Sequence, residues 1–243
     1  MLEGKRVAVV TGGGRGIGRA TALRLARAGR DIVIADVGAY SAAVVAEVEA
    51  LGCRAVFLPT DVANRLSVEA MVARTLEDFG RLDILVNCAG LLGAETPFLE
   101  TSVEEWERIL GINLTGVFFA CRTALPAMLE QSWGRIVTIS SGARRGAATL
   151  APYGVSKGGV VALMRAIANA YARQGVLANC VEPGRALTEM VVPRFSKEFL
   201  ASPPVTIGRY AEPEEIAEVV NFLCSEASTY ATGAVWKVAG NAG

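Results

Sequence analysis

Tyr153 and Lys157 stand four residues apart in Pro152-Tyr153-Gly154-Val155-Ser156-Lys157. On a helix that spacing puts both on one face, and proline is well tolerated in a helix's first turn. A free phenol with a pKa near ~10 is a poor base at neutral pH. An ammonium about 5 Å away, at an effective dielectric near 20, favours the phenolate by roughly 3 kcal/mol, or about two pK units. That brings Tyr153 into range for taking a proton from an alcohol or giving one to a developing alkoxide. The chain has no histidine, so Ser-His and Cys-His nucleophile schemes are excluded and a zinc site is not expected. The pair is the best acid–base candidate in the sequence. By itself the spacing also fits an ordinary solvated helix face.

A second cluster lies near the start. Thr11-Gly12-Gly13-Gly14-Arg15-Gly16-Ile17-Gly18 puts five glycines directly behind the apolar run Val7–Val10. It does not fit G-x-G-x-x-G, because the third glycine place falls on Arg19. It does fit G-x-x-x-G-x-G on Gly12, Gly16 and Gly18. A strand, a glycine turn and a helix starting near Gly16 would present backbone N–H groups and a positive helix end to a pyrophosphate. Asp36, 18 residues beyond Gly18, would close the second strand. There an acid can accept a ribose 2′-hydroxyl and repel a 2′-phosphate. Arg15, a base within the glycine loop, argues in the opposite direction. The carboxylate directly at the ribose is weighed more heavily, so the expected cofactor is NAD(H).

The elements that must position these groups follow from patterning. Strands are predicted at 6–10, 31–35, 55–58, 84–87, 135–139, 177–181 and 234–238. Helical periodicity is read at 16–28, 67–79, 103–129 and 153–173. This alternation predicts an α/β, Rossmann-like, doubly wound parallel sheet of about seven strands with helices on both faces. No linker or fixed-period repeat divides the chain, so one domain is expected over 1–243, with a substrate loop at about 188–210.

Composition bounds the rest. Apolar residues make up 52% of the 243, which fits a sheet buried on both faces. The 24 basic and 24 acidic residues cancel without a basic run, so nucleic acid is not an expected partner. No stretch reads as a membrane span or signal peptide, and the expected compartment is the cytoplasm. The five scattered cysteines form no C-x-x-C pair and no disulfide framework.

Taken in order, Thr11-Gly12-x-x-x-Gly16-x-Gly18, Asp61-Val62, Asn87-Cys88-Ala89-Gly90, Asn113, Ser140-Ser141, Tyr153-x-x-x-Lys157 and Pro183-Gly184-x-x-x-Thr188 resemble the motif set of the short-chain dehydrogenase/reductase family nearly end to end. The resemblance implies reversible hydride transfer between NAD(P) and an alcohol or carbonyl, usually by a tetramer or dimer. It implies Tyr153 as acid–base, Lys157 on the nicotinamide ribose, a serine on the substrate oxygen, and Asn113 supporting a water that links Lys157 to solvent. Asp61 and Val62 would hold the adenine, Asn87, Ala89 and Gly90 would wall the cofactor, and Pro183, Gly184 and Thr188 would line its nicotinamide end.

The chain departs from the pattern in places. Relatives place the active serine thirteen residues before the tyrosine, which selects Ser140, and at the second of two strand-closing serines, which selects Ser141. A one-residue deletion in the loop favours Ser141. Glu182 stands where small residues are frequent. Arg144, Arg145, Arg185 and Arg194 fall in loops that would line the substrate pocket. They would suit an anionic substrate, against the reading that they are solvated or bind a neighbouring subunit. A small neutral secondary alcohol or ketone is the leading substrate. A 3-oxoacyl-carrier-protein reductase is the runner-up, weakened by uncharged Ser132 and Gln174 where carrier-docking bases are usual. A non-catalytic nucleotide sensor is the remaining reading.

Overall fold

A computed structural model of the chain describes residues 5–189, Val192 and 205–241. Its centre is a seven-stranded sheet in the order β3-β2-β1-β4-β5-β6-β7. The strands are β1 (Val7–Thr11), β2 (Asp31–Asp36), β3 (Ala55–Pro59), β4 (Ile84–Asn87), β5 (Gly134–Ile139), β6 (Val176–Pro183) and β7 (Val235–Val238). Every pairing is parallel. β1, β2, β4 and β5 are buried along their whole length, as expected when helices cover both faces.

Each side chain's face follows from strand alternation. Val7, Val9, Val33 and Leu85 pack with α3 (Arg65–Phe79), α5 (Gly116–Glu130) and α6 (Ala151–Tyr171). Ala8, Val10, Ile32 and Ile84 pack with α1 (Gly16–Arg27), α2 (Ser41–Glu49) and α7 (Pro213–Leu223). The predicted strands agree with the observed ones to within two residues at each end. The helical stretch read over 103–129 is interrupted: α4 (Val103–Leu110) runs into a π-helical turn, Gly111–Thr115, before α5. The run Val103–Glu130 is long and apolar enough to span a membrane. It is instead a core helix, with Val117, Ala120, Cys121, Ala124 and Met128 all in the packed cluster. Most of the expected substrate loop, including Arg194, lies outside the described residues. Its ends are pinned by a bridge between Ala186 and Ala211 and a hydrogen bond from Ile207 N to Gly240 O.

Strand order reverses between β1 and β4, so the loops leaving their carboxyl ends diverge and open a crevice. At the opposite edge Asp83, fully buried, fixes where these strands begin. Its carboxylate accepts from Val7 N at 2.8 Å and from Arg81 Nε and Nη2 at 2.7 Å each. Its own N–H donates to Val7 O, and its carbonyl accepts from Arg135 N. Removing one side of a buried charge pair is strongly destabilising because the partner is left uncompensated. Asp83→Ala is therefore expected to lower unfolding stability by about 3 kcal/mol in urea titrations followed by circular dichroism. A loss under about 1 kcal/mol would contradict this account of the sheet's lower edge.

Candidate active site

The glycine turn is shaped by contacts that side chains would prevent. Gly12 sits at φ +64°, and a Cβ there would come within 2.7 Å of Ala89 N. A Cβ on Gly18 would lie 2.0 Å from Gly12 O. The turn folds tightly onto itself and against the chain leaving β4, so α1 begins at the crevice with its first N–H groups directed outward. Asp36, buried at the end of β2, braces the turn by accepting from Gly14 N at 3.0 Å. Its other oxygen accepts from Gly38 N at 3.1 Å and from the Tyr40 hydroxyl at 3.3 Å.

Tyr153 and Lys157 occupy the first turns of α6, one turn apart as their spacing predicts. The Lys157 Nζ lies 5.7 Å from the centroid of the Tyr153 ring and donates to Ile139 O, at the end of β5, at 2.8 Å. Burial pushes Lys157 down to about 8, with smaller opposing effects from Cys88 and Cys180. Burial pushes Tyr153 up, and its hydrogen bond with Ser141 pulls it partly back. The sequence expectation that Lys157 lowers the tyrosine is thus corrected in one respect. Burial disfavours the charged form of each group, so the ammonium loses its proton more readily and the phenol less readily than in water. The neighbouring thiols of Cys88 and Cys180 are pushed up to about 12 by burial and stay neutral.

The two serines divide their work. The Ser140 hydroxyl is buried and donates to Lys157 O at 2.9 Å, tying β5 to α6. Ser141 caps the short 3₁₀ turn Gly142–Arg145, accepts from Ala143 N at 3.2 Å, and meets the tyrosine. It is Ser141 that shares the Tyr153 phenol.

Asn113, in the π-helical turn, is fully buried. Its Oδ1 accepts from Leu91 N and its Nδ2 donates to Leu91 O, both at 2.8 Å. A further hydrogen bond runs from Nδ2 to Ser156 Oγ, which in turn donates to Tyr153 O at 2.7 Å. Asn113 therefore couples the loop after β4 to α6, and a Cβ on Gly90 would fall 3.2 Å from its Oδ1. Asn87 is likewise buried, its Nδ2 donating to Thr138 Oγ1 at 3.1 Å. Neither asparagine side chain forms the surface of the crevice; both hold its wall.

The other site residues line one cavity of about 610 Å³. Arg15, Asp36, Asp61 and Val62 line it near the ends of β2 and β3, Gly12, Gly16, Ile17, Gly18, Ala89 and Gly90 near the ends of β1 and β4, and Ser141, Tyr153, Lys157, Pro183 and Gly184 beyond β5 and β6, with Thr188 reaching back against Gly16. The cavity thus runs from the acid at the end of β2, past the α1 terminus, to the tyrosine. Those residues suit an elongated dinucleotide: an acid for a ribose, close-approach glycines and a helix terminus for phosphates, then the reactive pair. Among the described residues no group of His, Cys, Asp and Glu has the geometry to hold a metal.

Sequence reasoning missed Tyr40, and it placed Leu91, Leu92, Ala143 and Leu150 in pocket-lining loops without singling them out. Tyr40 sits in a short turn with no pattern to mark it. The apolar residues lie in loops whose direction only the fold reveals. Arg144 and Arg145 are not part of the cavity surface. Arg144 Nε donates to Glu182 Oε2 at 2.5 Å and Arg145 Nη1 to Glu182 Oε1 at 2.6 Å. Glu182 is buried at 1% exposure. Burial raises its carboxyl, but the two guanidinium groups together hold it below the usual range. The acid before Pro183, where small residues are frequent, is therefore accounted for by the arginine pair after Ser141.

Residues 12–240 match the family model described as enoyl-(acyl carrier protein) reductase. The chain is 40% identical to cis-4-hydroxycyclohexanecarboxylate dehydrogenase of Sinomonas cyclohexanicum, covering 97% of this chain and 96% of that one. Its fold superposes on levodione reductase with a TM-score of 0.92 at 35% identity, covering 97% and 96% of the two chains. It also superposes on a 3-ketoacyl-(acyl-carrier-protein) reductase from Brucella melitensis complexed with NADH, at TM-score 0.90 and 32% identity over 99% and 98%. With the ordered motifs and the seven-stranded parallel sheet, these matches establish that the chain belongs to the short-chain dehydrogenase/reductase family of oxidoreductases.

Proposed function

We propose that the protein is an NAD(H)-dependent dehydrogenase or carbonyl reductase acting on neutral secondary alcohols and ketones through Ser141, Tyr153, Lys157 and Asn113, within a single dinucleotide-binding domain. The observation that carries this reading is the shared cavity, which has Asp36 and the glycine turn at one end and the Ser141–Tyr153–Lys157 group at the other. The likeness to a dehydrogenase of a hydroxycyclohexanecarboxylate supports oxidation of a secondary alcohol, and the likeness to a reductase solved with NADH supports the cofactor.

A nicotinamide cofactor held in this cavity would supply the carbon that gives or takes the hydride. Tyr153 would hand its proton to the substrate oxygen during reduction and recover it during oxidation, while Ser141 holds that oxygen by a hydrogen bond. Lys157 would bind the nicotinamide ribose and stabilise the phenolate. Asn113 would keep the loop from Leu91 and the start of α6 in register, and Asp36 would take the adenosine ribose. Asp61 and Val62 would flank the adenine, and Pro183, Gly184 and Thr188 the nicotinamide.

The cavity that holds Tyr153 is also lined by Leu91, Leu92, Ala143 and Leu150, and among the described residues its charged lining beyond the glycine turn and Asp36 includes Glu95 and Glu189 with the single arginine Arg185. Arg144 and Arg145 are committed to Glu182. That balance favours a neutral, largely apolar substrate over an anion. Paired ketones that differ only by a carboxylate separate the readings, with NADH consumption as the signal and Tyr153→Phe as the blank. The neutral partner is expected to react faster, and Arg144→Ala with Arg145→Ala should leave the preference unchanged. A tenfold advantage for the charged ketone, about 1.4 kcal/mol of transition-state preference, would contradict the neutral assignment.

The likeness to a 3-ketoacyl-(acyl-carrier-protein) reductase favours a second reading, reduction of a 3-oxoacyl thioester. Turnover of an acetoacetyl thioester exceeding that of simple ketones would select it.

A pH dependence follows from the buried pair. Burial pushes Lys157 down to about 8, so the first proton to leave the pair would come from the ammonium and could be replaced from the neighbouring phenol. The species that lacks this proton can exist as phenolate and ammonium, the form that accepts an alcohol proton. Alcohol oxidation should therefore rise with pH through an ionisation near 8, and ketone reduction should fall across the same window. Lys157→Met should move the rise upward, toward or above the free tyrosine value of about 10. Initial rates at saturating substrate, with chemistry limiting, check this; a flat profile from neutral to alkaline pH would contradict it.

A further inference from the structure

Asp36 and Arg15 face the same end of the cavity with opposite consequences. The carboxylate favours a ribose 2′-hydroxyl, whereas a guanidinium favours a 2′-phosphate. Tyr40 stands between them. Its hydroxyl donates to Asp36 Oδ1 at 3.3 Å. The guanidinium carbon of Arg15 lies over its ring, 5.5 Å from the centroid, within cation–π range. The ring position is fixed from below as well, since a Cβ on Gly14 would meet its Cε2 at 2.6 Å and one on Gly38 its Cε1 at 2.0 Å. Two glycines thus give the ring its seat, and the ring lines the cavity. Burial and the neighbouring Asp36 hold the phenol pKa up, so it remains a neutral donor. The Tyr40 ring is the cation–π contact of the Arg15 guanidinium, and the Glu189 carboxylate faces the same turn, 3.4 Å from where a Cβ on Gly16 would sit.

We propose that Tyr40 is a specificity-determining residue: its ring, and not its hydroxyl, holds the Arg15 guanidinium away from the place a 2′-phosphate would take beside Asp36. This inference rests on the dinucleotide reading of the cavity and deepens it by assigning Arg15 a restrained role. Removing the ring releases the guanidinium and lets it swing to a 2′-phosphate. Removing only the hydroxyl leaves the cation–π contact in place. Because Tyr40 is 46% exposed in a loop, truncating it is not expected to disturb the fold.

The test is equilibrium binding. NADH and NADPH are titrated by nicotinamide fluorescence into the parent, Tyr40→Ala, Tyr40→Phe, Arg15→Ala and the Tyr40→Ala/Arg15→Ala double variant. Tyr40→Ala is expected to narrow the preference for NADH over NADPH by about fivefold or more. Tyr40→Phe should stay close to the parent, and the double variant should regain the parent's preference. The proposal is overturned if Tyr40→Ala leaves the ratio unchanged or widens it, or if the narrowing persists in the double variant. A parent that already binds NADPH more tightly would overturn the NAD(H) assignment. The Tyr40 proposal would still be judged by how the variants change that ratio.

Discussion

The site depends on one buried ammonium. Lys157 is 5% exposed, and a charge so far from water is costly unless it is hydrogen-bonded. Here the carbonyl of Ile139, at the end of β5, accepts from Nζ. Ser140 returns the tie by donating to the Lys157 carbonyl. These two bonds lock the first turns of α6 onto the carboxyl edge of the sheet. That lock sets the position of Tyr153, one turn earlier, and brings the phenol to Ser141. The same burial tunes the lysine downward and leaves the pair with a proton that can be lost within the working pH range.

Around that lock the rest of the structure supplies rigidity rather than further chemistry. Asn113 joins the loop after β4 to α6 through Leu91 and Ser156. Its place in a π-helical turn, where the ladder widens, lets the side chain turn inward to make those bonds. Glu182 holds the segment just beyond Ser141 through Arg144 and Arg145. Asp36 holds the glycine turn at the other end. Each connection joins a loop to a strand end, which is how loops can carry a site of fixed geometry.

Much of this was legible in the amino-acid order. The strands announced themselves because runs such as Ile32–Ala35 are apolar on both faces, the mark of a sheet covered on two sides. Gly12 and Gly18 were legible because only glycine tolerates such close backbone approach. Other features depend on contacts between residues distant in sequence. The pairing of Glu182 with Arg144 and Arg145 spans nearly forty positions and leaves no periodic trace. The π-helical turn within 103–129 was hidden because its residues continue the apolar pattern of the helices that flank it. The contact of Arg15 with Tyr40 left no trace because the two lie 25 positions apart in the chain. The balance between desolvation and attraction at Tyr153 needed burial, which spacing alone does not give.

The most direct test of the central claim follows an atom. NADH carrying deuterium at its reactive carbon is incubated with a neutral cyclic ketone, and the product alcohol is examined by mass spectrometry and NMR. The account predicts deuterium on the carbinol carbon with the parent protein, and none with Tyr153→Phe, which should still bind NADH. Unlabelled product, or equal labelling by the Tyr153→Phe variant, would contradict hydride transfer governed by this tyrosine.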